Sequence, residues 1–198
     1  PDFIYSLVSA SKTLNPCFSN AVLKREAPGC IITLEPSEQN AFPANVGTGN
    51  LYLNGTNGSS TWTNTNVELN AFGGSNLNTA GTSLSTVTSS PACLALIGGT
   101  GNSANGKSVV FTFSMVGKTN LIVSYATQKT STGFSSQAWS YSLDGINWTS
   151  LQTVTTIPTS YVVTTLNGTT ALDGAPVAYL RMTVTGSSTA TGNNRLDN

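Results

Sequence analysis

Beyond residue 50 the chain alternates apolar with polar side chains or carries short apolar runs, and clusters of Gly, Asn, Ser and Pro separate these segments. This is the signature of strands joined by tight turns. The pattern predicts strands over 51–54 (LYLN), 67–72 (VELNAF), 93–98 (CLALIG), 108–116 (SVVFTFSMV), 120–128 (NLIVSYATQ), 138–144 (AWSYSLD), 161–166 (YVVTTL) and 177–184 (VAYLRMTV). Side chains two apart along a strand share a face. In the last segment Ala178, Leu180, Met182 and Val184 therefore form the core side, while Val177, Tyr179, Arg181 and Thr183 lie on the other and Arg181 points outward. In AWSYSLD, Trp139, Tyr141 and Leu143 share a face opposite Ala138, Ser140 and Ser142.

Close-spaced strands with Gly- and Asn-rich turns predict an all-β fold, an antiparallel β-sandwich of jelly-roll-like type with an N-terminal extension. The chain divides near residue 40. Residues 1–40 concentrate Lys24, Arg25, Glu26, Glu35 and Glu38 and hold two strand candidates, DFIYSLVSA and CIITLE; residues 41–198 read as the sandwich domain. SNAVLKREA, residues 19–27, is the one short stretch of good helix formers, too short for a helix that stands alone.

The segment WSYSLDGINWTSL, residues 139–151, breaks at Asp144-Gly145 and reads as a hairpin. Its Ser142-x-Asp144-Gly145-x-x-Trp148 resembles the Asp-box of sialidase-type propellers but is one residue short between Asp and Gly. The chain shows no self-similar period, which a propeller requires. Trp139 and Tyr141 are expected to pack inward and Trp148 to be more exposed.

Charge narrows the function. Only 8% of the 198 residues are charged, the net charge is zero and histidine is absent. With no basic stripe to neutralise phosphates, nucleic acid is excluded as a partner. No apolar run is long enough to cross a bilayer. The first residues, PDFIYSLVSA, lack an initiator Met and a basic leader before an apolar run, so the chain reads as a processed or excised product. Sequons at Asn54, Asn57, Asn147 and Asn167 fit an extracellular surface.

Without histidine, Ser-His-Asp and Cys-His catalysis is impossible. Glu68 and a second carboxylate would be the minimum for glycoside hydrolysis, but no spacing pairs them, and the chain is expected not to be an enzyme. Three cysteines permit one disulfide and a free thiol; Cys17 with Cys30 closes the shortest loop. No cofactor is expected. Oxygen donors at Asp144, Asp173 and the GNNRLDN tail leave room for a structural calcium with unassigned ligands. Flat aromatic faces for sugar rings are offered by Trp62, set among polar neighbours, with Trp148 and Tyr52.

LYLNG, VVFTFSMVG, NLIVSYATQ, WSYSLDGINWTSL, TIPTSY and GNNRLDN resemble secreted bacterial β-sandwich modules of cell-surface and polymer-degrading proteins, of the kind found in Bacteroidetes-like lineages. The resemblance implies a jelly-roll-like fold and an extracellular accessory role in adhesion or polysaccharide binding. In those modules the last segment continues as a strand, whereas this chain stops at RLDN. A sheet edge left open there invites cover from residues that follow RLDN, from the N-terminal segment or from a neighbouring subunit's strand. Phe3, Ile4, Tyr5, Leu7 and Val8 form the candidate assembly strand. The expected function is that of a structural or adhesive surface protein that assembles with itself through strand pairing into a filament or surface layer. The alternative is a carbohydrate-binding module of a secreted multidomain protein, with glycans as partners.

Overall fold

The computed structural model describes residues 3–6, 41–43, 49–54, 61–63, 67–75, 77–78 and 92–197. The strands run in chain order: β1 (Phe3–Ser6), β2 (Ala41–Pro43), β3 (Gly49–Tyr52), β4 (Leu69–Gly73), β5 (Ala92–Ile97), β6 (Ser108–Phe113), β7 (Leu121–Lys129), β8 (Ser136–Ser142), β9 (Thr149–Val154), β10 (Val162–Thr165), β11 (Ala178–Thr185) and β12 (Asn193–Asp197). They form two six-stranded sheets. The first has the order β1-β7-β12-β5-β4 with β10 also on β7; the second is β2-β3-β6-β11-β8-β9. Every pairing is antiparallel except β1 with β7, which is parallel. The all-β sandwich expected from the pattern is therefore what forms.

The alternation decides which side of each strand is dry. On β11, Ala178, Leu180, Met182 and Val184 are all fully buried, and they meet Val109, Phe111 and Phe113 of β6 in one core. The facing sheet contributes Leu94, Leu96, Leu121, Val123, Tyr125 and Leu196 to the same core. Trp139 sits at its centre, stacked on Phe111 with centroids 5.9 Å apart and tilted against Tyr125 at 5.2 Å. Its indole Nε1 donates to the Tyr125 hydroxyl, which donates to Gln137 Oε1; Gln137 Nε2 donates to Thr127 Oγ1, which donates to the Arg195 carbonyl. Both sheets contribute to this chain, so every buried polar group in it finds a partner across the core. Burial raises the Tyr125 phenol above its ordinary pKa, outweighing the hydrogen bond from Trp139.

Several elements differ from the pattern. Strands β2, β9 and β12 are not among the strands that the alternation predicts: β9 is the second arm of the expected hairpin, but TSLQTV and NNRLD are too polar to announce their extent, and they form because β8 and the β5-β7 gap supply backbone partners. Leu143 leaves the Trp139 face because β8 ends at Ser142, and it stands exposed in the following turn. The helix candidate at 19–27 lies outside the described residues, as do Leu7, Val8, Cys17 and Cys30. Cys93 is a buried free thiol whose pKa burial pushes up.

Leu121 exchanges both backbone hydrogen bonds with Thr169, on the edge along which β10 runs. Ile122 therefore faces the opposite edge, where β12 pairs with residues 126–129 and β1 with 121–124. Phe3, Ile4 and Tyr5 of the candidate assembly strand thus pair within their own chain.

Candidate functional site

The outer face of the second sheet is built by register. Tyr52 of β3 pairs with Val110 of β6, Val110 with Arg181 of β11, and Arg181 with Ser140 of β8. The next row is Asn50, Thr112, Tyr179 and Ser142. Tyr52 and Arg181 are two strands apart, about 10 Å. The β8–β9 turn then carries Trp148 back over this face: the Arg181 guanidinium lies 4.2 Å from the centroid of the Trp148 ring, and Tyr179 meets that ring edge-on at 6.5 Å. Tyr52, Trp148, Tyr179 and Arg181 are all half-buried. Arg181 Nε donates to Ser140 Oγ; burial lowers the guanidinium pKa, and the group stays charged.

The turn that presents Trp148 is held by its own polar groups. Ser142 Oγ accepts the backbone N–H groups of Asp144 and Gly145 and donates to Asp144 Oδ1, which also accepts the backbone N–H groups of Ile146 and Asn147. Asn147 Nδ2 donates to Asp144 Oδ2. These donors hold the Asp144 carboxyl far below its ordinary pKa, led by the backbone N–H groups of Asn147 and Ile146. Gly145 adopts φ of 68°, the left-handed conformation that glycine accepts without strain. Asp144-Gly145 is the hairpin turn the sequence implies, and its carboxylate is occupied by that turn.

Of the three expected sugar-binding aromatics, the structure brings Tyr52 and Trp148 to this face and removes Trp62 from any surface. Trp62 is 2% exposed and packs in the core. Its Nε1 donates to the Ser108 carbonyl at 2.8 Å and its backbone N–H to Asn54 Oδ1. Polar sequence neighbours suggested an exposed ring, but a large apolar surface whose single polar atom reaches a partner is better buried. Tyr179 and Arg181 were missed as site residues, although alternation along VAYLRMTV already placed both on the outward face.

Comparison with known proteins adds overlays of part of the fold. No protein-family model matches the chain. No curated protein matches it. Among solved structures, TmCBM61 in complex with β-1,4-galactotriose overlays with a TM-score of 0.40 at 12% identity, covering 66% of this chain and 78% of that one. The K2 cleaved adhesin domain of Lys-gingipain gives 0.39 at 13% identity, over 72% of this chain and 94% of the other. A family 16 carbohydrate-binding module gives 0.36 at 12%, over 69% and 86%.

The other carboxylates among the described residues serve the fold. Glu68, the one candidate acid for hydrolysis, is 1% exposed. It accepts hydrogen bonds from the Thr63 backbone N–H, Ser103 Oγ and Lys107 Nζ. Burial pushes its pKa up, but those hydrogen bonds and the Lys107 charge together bring it below the ordinary value. Gly99, with φ of 74°, passes so close that a Cβ there would lie 2.7 Å from Glu68 Cγ. Asp173 accepts from the Asn120 backbone N–H, and Asp197 from that of Ser75. Among the described residues no group of three His, Cys, Asp or Glu side chains is placed to hold a metal ion, and no helix is long and apolar enough to cross a membrane.

Proposed function

We propose that this chain is a non-enzymatic, extracellular binding module that holds a glycan on the outer face of its second sheet, through Trp148, Tyr179, Arg181 and Tyr52. The observation that carries the reading is the half-exposed Trp148 ring braced by Arg181 at 4.2 Å above a face of hydroxyl and amide side chains. A sugar ring needs a flat apolar surface for its C–H face and nearby polar groups for its hydroxyls; this face supplies both. Bracing lowers the ordering cost on binding, because the ring is already held.

Affinity electrophoresis against a panel of polysaccharides tests it. Replacing Trp148 with alanine is expected to weaken retention about tenfold or more, while costing only about 1 kcal/mol of stability through the lost contact with Arg181. Equal retention by the Trp148→Ala protein would remove this face from glycan binding.

A second reading is self-association. It rests on β1, a four-residue strand that joins its sheet by the one parallel pairing among the described residues. The same segment of another copy could occupy that slot on β7, an exchange that makes dimers or open chains of copies. Light scattering on the full chain and on a form lacking residues 1–10 reads this directly: assemblies that vanish on deletion support strand exchange, and a monomer in both forms ends it.

A further inference from the structure

The six strands of the second sheet carry a single charged residue between them, Arg181. It sits on β11, an interior strand flanked by β6 and β8. Among the described residues no carboxylate forms an ion pair with it, and the one ion pair there joins Lys107 to Glu68. Nε is engaged by Ser140 Oγ, so the two terminal nitrogens of the guanidinium have no partner among the described residues. Asp144, in the turn leading to Trp148, has both carboxylate oxygens engaged by the turn itself. A half-buried cation in the middle of a neutral sheet, held against an aromatic ring with no carboxylate paired to it, leaves its charge and its terminal N–H groups open to an anionic ligand.

Building on the proposed glycan site, we infer that its ligand is an acidic glycan whose uronate carboxylate is held by Arg181 while a sugar ring stacks on the neighbouring aromatic side chains. A carboxylate is planar and matches the paired N–H groups of a guanidinium in a two-point contact, which a hydroxyl cannot do. One cation does not meet the repeated phosphates of a nucleic acid. It does meet a polymer whose charge sits on spaced sugar rings, each carrying its own apolar face for Trp148 or Tyr179. The inference also gives Arg181 a part in specificity distinct from the aromatic rings: the rings supply affinity for sugars in general, and the guanidinium selects those that bear an acid.

Calorimetric titration of the full chain separates these parts. The probes are oligomers of galacturonate, mannuronate and glucuronate, their methyl esters, neutral galacto-oligosaccharides of matching length, and a sulfated galactan. One of the uronate oligomers is expected to bind about tenfold or more tightly than its own methyl ester, which keeps the rings and removes the charge. Arg181→Gln should erase that difference. Arg181→Lys should restore it only in part, since a point charge lacks the fork. Trp148→Ala should weaken acid and ester alike. If acid and ester bind equally, the acid selectivity is wrong while the glycan site stands; if no oligomer or polymer binds, the glycan site itself is wrong. Tighter binding of the sulfated galactan than of every uronate overturns the carboxylate assignment. The acid-against-ester comparison on the unaltered protein holds even if an Arg181 variant folds poorly.

Discussion

Replacing Glu68 with alanine is expected to lower the unfolding free energy by about 3 kcal/mol, because it removes one partner of a largely buried ion pair and leaves the others unsatisfied. The carboxylate gathers three donors from separate segments: the Thr63 N–H, the Ser103 hydroxyl and the Lys107 ammonium. Its own backbone carbonyl accepts from Ile97 at the end of β5, so the cluster ties Thr63 and Glu68 to that strand and to the segment after it. Lys107 also donates to the Thr61 carbonyl and lies 5.8 Å from the Trp62 ring centroid. Losing the carboxylate loosens the cover over Trp62 as well.

The same group makes stability depend on pH with a definite sign. The folded-state pKa of Glu68 lies below the ordinary 4.5. Its contribution is therefore fully present above that value and is lost as pH falls through the lower, folded-state pKa. Urea unfolding of Glu68→Gln and the parent protein between pH 3 and 7, roughly the range over which carboxylates titrate, should show the parent losing its advantage on acidification. A constant gap across that range would mean that Glu68 is not the acid-sensitive group.

Trp139→Ala is the second large effect, with an expected loss of about 3–5 kcal/mol. The indole fills the space between the sheets against Phe111 and Tyr125, and its removal leaves a void that surrounding strands cannot close. It also ends a chain of hydrogen bonds. Without the Nε1 donor, the Tyr125 hydroxyl keeps Gln137 but loses the partner it accepts from. Trp139→Phe separates the two contributions: it retains most of the packing and deletes the donor, so a loss of only about 1–2 kcal/mol is expected. Denaturant titration of both variants checks the order. Equal losses for Ala and Phe would assign the stabilisation to the polar chain rather than to packing.

The contrast between Trp62 and Trp148 shows where sequence reading succeeds and where it stops. Both are tryptophans next to sequons and polar residues, and neighbours alone suggested that both were candidates for a surface. Trp148 follows a turn whose Asp144 and Ser142 close hydrogen bonds within a few residues, so its half-exposed position is set locally. Trp62 is placed by the Ser108 carbonyl, 46 residues away. Nothing near it in the chain announces that partner. The same holds for Glu68, whose lysine and serine partners come from the segment after β5.

What the sequence determined by itself follows from period two: the all-β class, most strands to within a few residues, the dry face of β11, the inward Trp139 and the Asp144-Gly145 hairpin. These rest on interactions between residues close in the chain or on one strand. The extents of polar strands such as β9 and β12 escaped the alternation, because they are set by the backbone partners beside them rather than by their own side chains. Only the tertiary structure could decide which outward faces coincide. Strand order places β3, β6, β11 and β8 side by side, and that order brings Tyr52, Tyr179, Arg181 and Trp148 to one face from three separate segments of the chain. Alternation tells which side of a strand is wet; it carries no information about which strand lies next to it, because that is settled by the packing of both sheets at once.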